Sequence, residues 1–345
     1  MDFPVRGFLA TFLATTALQL ILTSDAAAAA PDITTLEQCF KLRGSESDEI
    51  RLSCYDKAFA EAEGSKLQVA QVPDKPKPAH LRNLWRADEE QGDRPTIFRQ
   101  YKQNYILPWA MTRTQNKLPQ SPLADHTVTA DNPPEAAELK FQFSAKSRLP
   151  FTSTESKHGW WLAYTQQSHW QFYDAAHSRP FRESDYEPEL IYSYDLSQQQ
   201  GGQGSYWPMP PQFLNIGLVH QSNGQSLPYS RSWNRVYAQL GMEQALGNGS
   251  LAVLIRPWVR IPENRDDDNP DIMRYMGYGD VEIDYWLDGK VYSMTARKRS
   301  IQLDLPIPYL SGFHVQYFNG YGESLIDYNQ RHQTLGIGHS LPYGL

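Results

Sequence analysis

The sequence predicts an all-β fold, a 12-stranded antiparallel transmembrane β-barrel with a small N-terminal helical extension in the periplasm. From about residue 98 onward, short segments alternate apolar and polar residues, which is the period of a half-buried strand. The number of segments is even, and tight turns are found beside long polar connections, as in bacterial outer-membrane barrels. The 20 Tyr and 9 Trp fit the aromatic girdles of such barrels.

The chain before the strands divides into three parts. Residues 1–30 have an arginine, an apolar run and a small-residue stretch, which is typical of a secretory signal peptide. Residues 31–64 have helical character and contain the only cysteines, Cys39 and Cys54, so we expect a helical hairpin closed by a disulfide. Residues 65–97, with Pro73, Pro76 and Pro78 among lysines and glutamines, are predicted to form a linker to the barrel domain at 98–345.

The alternating segments have one apolar face and one polar or charged face. In one of them Leu251, Val253 and Ile255 share a face, and Arg256 lies on the other. Charge on the second face is acceptable if that face lines a hydrated or hydrogen-bonded lumen. The predicted strands are 98–111, 138–149, 158–172, 187–196, 209–223, 232–244, 250–262, 277–288, 290–299, 301–309, 312–321 and 332–342.

Composition excludes some functions and leaves one alternative fold. The net charge of −7 argues against a nucleic-acid partner, which would call for a basic surface. After the signal peptide, no apolar run approaches the roughly 18 to 20 residues of a spanning helix. A secreted carbohydrate-binding β-sandwich with aromatic platforms would have a similar composition, and strand number and strand faces distinguish the two folds.

One predicted hairpin, Leu214 to Met242, places polar groups in an apolar row. His220 and Ser222 continue the apolar face of its first strand, and Asn234 continues that of its second. A hairpin folded symmetrically about Leu227 puts His220 opposite Asn234 and Ser222 opposite Ser232. A hydroxyl, an imidazole and an amide would then meet on one face.

These three groups can perform nucleophilic catalysis. Serine needs a base to take its proton, and the base needs a third group to fix its tautomer. Ser222, His220 and Asn234 can fill those roles. The pattern alone has low specificity, because His-x-Ser occurs by chance and a strand histidine is more often structural.

A longer motif in the same hairpin is more specific than the His-x-Ser pattern. His220-Gln221-Ser222-Asn223-Gly224 with Ser230-Arg231-Ser232-Trp233-Asn234-Arg235 resembles the active-site signature of the bacterial outer-membrane phospholipase A family. Four further blocks resemble that family in the same order, so that the likeness extends from about Arg99 to the C-terminus: 180–183 with 186–188, 268–272, 275–278 and 321–329.

The resemblance implies a role for each residue of the hairpin. Ser222 would be the nucleophile, His220 the general base and acid, and Asn234 the group that orients the imidazole. The Gly224 amide, with a calcium-bound water, would form the oxyanion hole. The calcium ion would be held by the Ser230 hydroxyl, the Gln225 carbonyl and, from a second subunit, Ser178.

The resemblance also implies a homodimer. Gln166 shares a strand face with apolar residues, matches the family's interfacial glutamine, and would pair across a two-fold axis because an unpaired amide in hydrocarbon is costly. If the register were shifted by one, Gln166 would instead point inward. Leu227 stands where related enzymes can carry an aspartate that acts with the equivalent of Asp268, so a second calcium site is in doubt.

The sequence therefore predicts a calcium-dependent outer-membrane phospholipase, activated by dimerisation. It would hydrolyse acyl esters of phospholipids misplaced in the outer leaflet, with A1 and A2 activity, and also lysophospholipids. The alternative within the same fold is a passive porin or solute channel without enzymatic activity, whose lumen should be open.

Overall fold

The computed structural model describes residues 39–40, 52–58, 80–85, 98–129, 134–150, 158–197, 209–263 and 267–341. The chain forms two compact units, Met1–Lys77 and Pro78–Leu345. In the first unit the described residues are helical, and Cys39 and Cys54 form a disulfide with their Cα atoms 5.6 Å apart. The predicted signal peptide and most of the predicted linker lie outside the described residues, and those assignments stay predictions.

The second unit is a closed antiparallel β-barrel of twelve strands, as the alternation predicted. Each strand pairs with its neighbours in the chain, and the first barrel strand pairs with the last, which closes the sheet. A two-residue strand, β1, extends the same sheet beside β3. The strands are β1 Arg99–Gln100, β2 Tyr105–Thr112, β3 Ala137–Arg148, β4 His158–Trp170, β5 Phe181–Asp195, β6 Pro211–Ser222, β7 Ser232–Leu246, β8 Gly249–Ile261, β9 Gly279–Leu287, β10 Lys290–Arg297, β11 Ser300–Pro306, β12 Phe313–Tyr321 and β13 Arg331–Ser340.

Two strands differ from the prediction by more than three residues. The predicted strand 98–111 is interrupted between β1 and β2, where the Asn104 side chain bonds the backbone of Ser144 and so replaces a rung of the ladder. β5 begins at Phe181, six residues before the predicted 187. The added part carries Glu183 and Asp185, whose carboxylates lie on the inward face. In the sequence alone such charged residues are typical of a loop, because their hydrogen-bond partners in the lumen come from a distant segment of the chain.

The two faces of the barrel have opposite character, as expected for a barrel in lipid. Outward residues are apolar and exposed, and inward polar residues are buried and joined in hydrogen bonds and ion pairs. A β-sandwich has two packed sheets rather than one closed sheet, so that alternative is wrong. The inward ion pairs include Lys140–Glu323, Arg182–Glu138, Arg182–Asp327, Lys102–Glu187, Arg235–Glu187 and Arg256–Asp280.

A short helix, α1 (His80–Trp85), packs inside one end of the barrel. The Glu243 carboxylate accepts hydrogen bonds from its first two amides, those of His80 and Leu81, at 3.2 and 2.9 Å. Trp85 packs against Phe213 and Trp161, and the Lys146 ammonium lies 3.3 Å from the centre of its ring. Within the described ranges, no helix has the length and apolar character needed to cross a membrane.

The other end of the barrel has the longer connections. β2, β4, β6, β8, β10 and β12 all finish there, and we call it the loop end. A second short helix, α2 (Ile272–Met276), lies in the connection between β8 and β9. The 322–330 connection between β12 and β13 is buried against the inner wall, where Leu325 and Ile326 donate backbone hydrogen bonds to Asp185 and Glu183. The lumen is lined by paired charges and packed rings around a cavity of about 150 Å³, which is unlike the open pore of a porin.

Candidate active site on the outer wall

The β6–β7 hairpin places the predicted triad on the outside of the barrel. Along β6, Leu214, Ile216 and Leu218 are 37%, 51% and 48% exposed, and the residues between them are buried. His220 and Ser222 follow on the same outward face, because side chains alternate along a strand. The sheet register sets His220 opposite Asn234 and Ser222 opposite Ser232, as the sequence predicted.

The imidazole of His220 is held by the amide of Asn234. The Nδ1 atom of His220 lies 2.8 Å from Oδ1 of Asn234, a hydrogen bond in which the ring nitrogen is the donor because an amide oxygen can only accept. In the neutral ring the proton is therefore on Nδ1, and the lone pair is on Nε2. Nε2 is the ring atom that can act as a base toward a hydroxyl on the same strand face.

The turn that follows Ser222 is braced from inside the barrel. Buried Asn223 donates to Glu183 Oε1 at 3.1 Å and to the Tyr229 carbonyl at 2.9 Å, and its Oδ1 accepts from the Arg231 amide at 3.0 Å. Gln225 donates to the other Glu183 oxygen at 2.7 Å. The conformation of the turn is thus fixed by side chains that do not face the lipid.

Gly224 has a backbone conformation that suits its position in this turn. Its φ of +63° lies in the left-handed region, where residues with a Cβ are strained. A Cβ at this position would also lie 3.3 Å from the Tyr186 ring. Glycine here lets the backbone turn immediately beside Ser222.

Oxygen atoms cluster where the β6–β7 turn leads into β7. Ser230 and Ser232 both donate to Oδ2 of Asp268, at 2.8 and 3.2 Å, and His126 Nε2 lies 2.9 Å from Oδ1. The other ring nitrogen of His126 bonds Asp125, and this bond lowers the pKa of the Asp125 carboxyl. Among the residues that the structure describes, no three His, Cys, Asp or Glu side chains gather into a metal site.

The 322–330 connection supports the site from the lumen. Burial opposes ionisation of Asp327, but the charge of Arg182, which bonds it at 2.5 Å, outweighs burial and lowers the pKa of that carboxyl. Burial and the hydrogen bond to Asp271 raise the pKa of the Tyr328 phenol. Asp327 is therefore a stable anion that holds the connection to Arg182 of β5.

Gln166 lies on the outward face of β4, so the alternative in which it points inward is wrong. It continues the row of exposed Trp160, Leu162 and Tyr164. Its amide already has partners in its own chain, since Oε1 accepts from the Tyr164 hydroxyl and Nε2 donates to the Ser168 hydroxyl, both at 3.1 Å. An amide has further donor and acceptor capacity beyond these two bonds.

The predicted residues share the loop end of the barrel, but sequence reasoning missed several of their partners. Gly224, Gln225 and Ser230 lie in the β6–β7 turn, and Ser178 lies in the β4–β5 connection, where its φ is 60°. The braces of the turn fall in the quoted blocks, but nothing in the sequence pointed to those contacts. The partners without a predicted role are Asn223, Glu183, His126 and Glu263, of which Glu263 accepts a hydrogen bond from Asn234.

Comparisons with known proteins identify relatives of this chain. A relative from Neisseria meningitidis is 39% identical over 254 residues, which span 70% of this chain and 64% of that protein. The chain thus matches just under two thirds of that relative's length. A phospholipase A1 of Klebsiella pneumoniae is 32% identical over 302 residues, which span 84% of this chain and 97% of that protein.

Solved structures have the same fold. An outer membrane phospholipase A from Escherichia coli matches with a TM-score of 0.59 and 32% identity over 71% of this chain and 98% of that chain. A Salmonella typhi outer membrane phospholipase, a dimer with bound calcium, matches with a TM-score of 0.60 and 31% identity over 74% of this chain and 96% of that chain. The family model for phospholipase A1 matches residues 81–341. The barrel, its outward hairpin and these matches together show that the chain belongs to the phospholipase A1 family and is a phospholipase.

Proposed function

We propose that this outer-membrane phospholipase hydrolyses acyl esters of phospholipids and lysophospholipids, at both the A1 and A2 positions, with a Ser222–His220–Asn234 triad. The observation that carries the proposal is the 2.8 Å hydrogen bond between His220 and Asn234 on the lipid-facing wall, in the same row as Ser222. Such a site faces the membrane and not the lumen. Its substrate is therefore lipid in the membrane itself.

The triad divides the reaction into two acyl transfers. His220 Nε2 takes the proton of Ser222 as the hydroxyl oxygen attacks the ester carbonyl, and returns it to the departing glycerol oxygen. Water then attacks the acyl-serine with the same help from His220, and the fatty acid leaves. Asn234 keeps the Nδ1 proton in place through both steps, and as a neutral amide it avoids a buried carboxylate beside hydrocarbon.

The oxyanion of each tetrahedral intermediate needs donors that are already in place. We assign this role to the Gly224 amide, whose turn is fixed by Asn223 and Glu183. Donors that do not reorganise during the reaction are the ones that stabilise a developing charge most effectively.

Calcium fits the oxygen atoms of this turn. Ser230 offers a hydroxyl and Gln225 a backbone carbonyl, and the Asp268 carboxylate lies within hydrogen-bond distance of Ser230, a set of hard oxygen donors of the kind that calcium prefers. Ser230 and Gln225, with Ser178 of a second subunit, would hold the ion. When bound, it would supply positive charge near the ester oxygen, so activity would depend on both calcium and dimerisation.

The triad is tested with the refolded protein in detergent micelles containing phospholipid. Ser222→Ala and His220→Ala should each abolish ester hydrolysis, because the nucleophile or its base is gone. Ser226→Ala, at an exposed serine of the same turn, is the matched control and should keep wild-type turnover. Turnover retained by the serine variant would dismiss the mechanism.

Calcium dependence is tested in the same assay. Chelation should abolish hydrolysis by the wild-type protein, and added calcium should restore it. Hydrolysis that is unaffected by chelation would dismiss the metal. Single-channel conductance in a planar bilayer with no esterase activity would favour the porin alternative.

A further inference from the structure

A carboxylate without a predicted role lies directly behind the triad. Glu263 follows β8 by two residues, and Ile261, the last residue of that strand, is paired with Asn234 in the sheet. Because side chains alternate along an extended chain, Glu263 continues the outward row of Val259 and Ile261. Its Oε1 atom accepts a hydrogen bond of 2.5 Å from Nδ2 of Asn234.

Both ends of the Asn234 amide are therefore engaged, by partners of opposite kind. Oδ1 accepts from Nδ1 of His220, and Nδ2 donates to Glu263. An amide has two ends of nearly equal size, so without an external constraint it can rotate by half a turn. An ionised carboxylate has no proton to donate, so it accepts only the NH₂ end.

The orientation of this amide decides whether the histidine can act as a base. If Asn234 were reversed, its NH₂ group would face Nδ1 of His220, and Nδ1 would have to accept. The ring proton would then be on Nε2, the nitrogen that must take the proton of Ser222. That tautomer has no lone pair available for the hydroxyl, as when a triad aspartate is replaced by an amide in serine proteases.

We propose that Glu263 is a positioning residue that holds Asn234 in the productive orientation. Glu263 would then orient Asn234, and Asn234 would orient His220 toward Ser222. This inference rests on the proposed function of the triad. The carboxylate is half-buried at the edge of the strand, where it is near the triad without being sealed in hydrocarbon.

The test compares kcat and KM of Glu263→Gln and Glu263→Ala with those of the wild type in phospholipid–detergent micelles. Glutamine keeps the shape of Glu263 but presents both a donor and an acceptor, so it holds either orientation of Asn234. Alanine removes the acceptor altogether. We expect kcat to fall about tenfold or more in Glu263→Ala and by a smaller factor in Glu263→Gln, with little change in KM in either variant, as for other groups that orient a catalytic residue. Glu135→Gln, at an exposed carboxylate in the β2–β3 connection, is the matched control.

A double-mutant cycle separates this role from a purely structural one. If Glu263 acts only through Asn234, then Glu263→Ala should have no further effect on kcat in the Asn234→Ala background. Activities are expressed per folded barrel, measured by the mobility shift of unheated protein in SDS gels. A wild-type kcat in both Glu263 variants, or losses that add in the cycle, would overturn the inference. A wild-type protein that hydrolyses no ester would instead overturn the proposed function.

Discussion

The polar residues of the outward hairpin are tolerated at the membrane because they bond each other. His220 is paired with Asn234, and Asn234 with Glu263, so these side chains present few unpaired groups to hydrocarbon. Unpaired polar groups at this depth would each cost several kcal/mol by general estimates. A row of this kind is tolerated in a lipid-facing surface because its members are connected by hydrogen bonds.

Asn223 is the residue whose replacement best tests the brace of the turn. In Asn223→Asp the group that donates to Glu183 becomes an acceptor, and two carboxylates face each other in a buried site. We expect kcat to fall by about tenfold or more, because the loss of a buried bond of this kind is worth roughly 1–3 kcal/mol and the Gly224 amide would shift. The measurement is hydrolysis of micellar phospholipid per folded barrel.

The control for this prediction is Asn248→Asp, in the exposed turn between β7 and β8 at the opposite end. It makes the same chemical change far from the hairpin turn and should leave kcat unchanged. Equal activities of the two variants would show that the brace has no role in the reaction.

At the scale of the element, the β6–β7 hairpin is shaped by glycines that face aromatic rings. Gly217 is paired with Tyr237, and Gly241 with Phe213, in the sheet. A Cβ on Gly217 would lie 2.2 Å from the Tyr237 ring, and one on Gly241 would lie 2.4 Å from the Phe213 ring. These rings lie flat against the inner wall, which lets Tyr237 donate a hydrogen bond to Glu189 at 2.7 Å.

Gly217→Ala should therefore destabilise the barrel without touching the triad. The added methyl pushes the Tyr237 ring away from its bond to Glu189, and overpacking of this kind costs about 1–3 kcal/mol. Urea unfolding of the refolded protein, followed by tryptophan fluorescence, measures the change. Ala238→Val adds methyl groups on the exposed outward face of the same hairpin, so its effect should stay within about 0.5 kcal/mol. Equal midpoints for both variants would contradict this account.

At the scale of the whole molecule, closure of the barrel gives its inner and outer faces different roles. The lumen carries polar contacts, among them Lys140–Glu323 and Arg182–Asp327, and the outer wall carries the proposed catalytic residues. The helix α1 packs inside the end opposite to the loop end, where Glu243 holds its first amides. This arrangement leaves the outer wall of β4 to β7 free for contact with lipid or with a second subunit.

The proposed dimer gives a prediction at this scale. Gln166→Ala should lower the calcium-dependent dimer fraction and the activity together, because it removes the amide on the outward face of β4 that would pair across the two-fold axis. Chemical crosslinking in micelles with and without calcium measures the fraction. Met294→Ala, on the wall of β10 opposite to β4, should change neither quantity. A dimer fraction that is unchanged in Gln166→Ala would exclude this residue from the interface.

The sequence by itself determined the twelve strands, their faces and the register of the β6–β7 hairpin. All three follow from the alternation of inward and outward side chains along each strand, which is visible in the local sequence. They also follow from the need for apolar side chains on the face that contacts lipid. For the same reason His220, Ser222 and Asn234 could be assigned to one outward face before the fold was known, and the long family-like string gave them their roles.

Only the tertiary structure decided which side chains support them. Glu183 meets Asn223, Asp268 meets Ser230, and Glu263 meets Asn234 because the closed sheet and its connections bring distant segments together. The early start of β5 has the same origin, since its carboxylates are stable in a strand only when the lumen pairs them. Such contacts depend on the path of the whole chain, and no local period in the sequence encodes them.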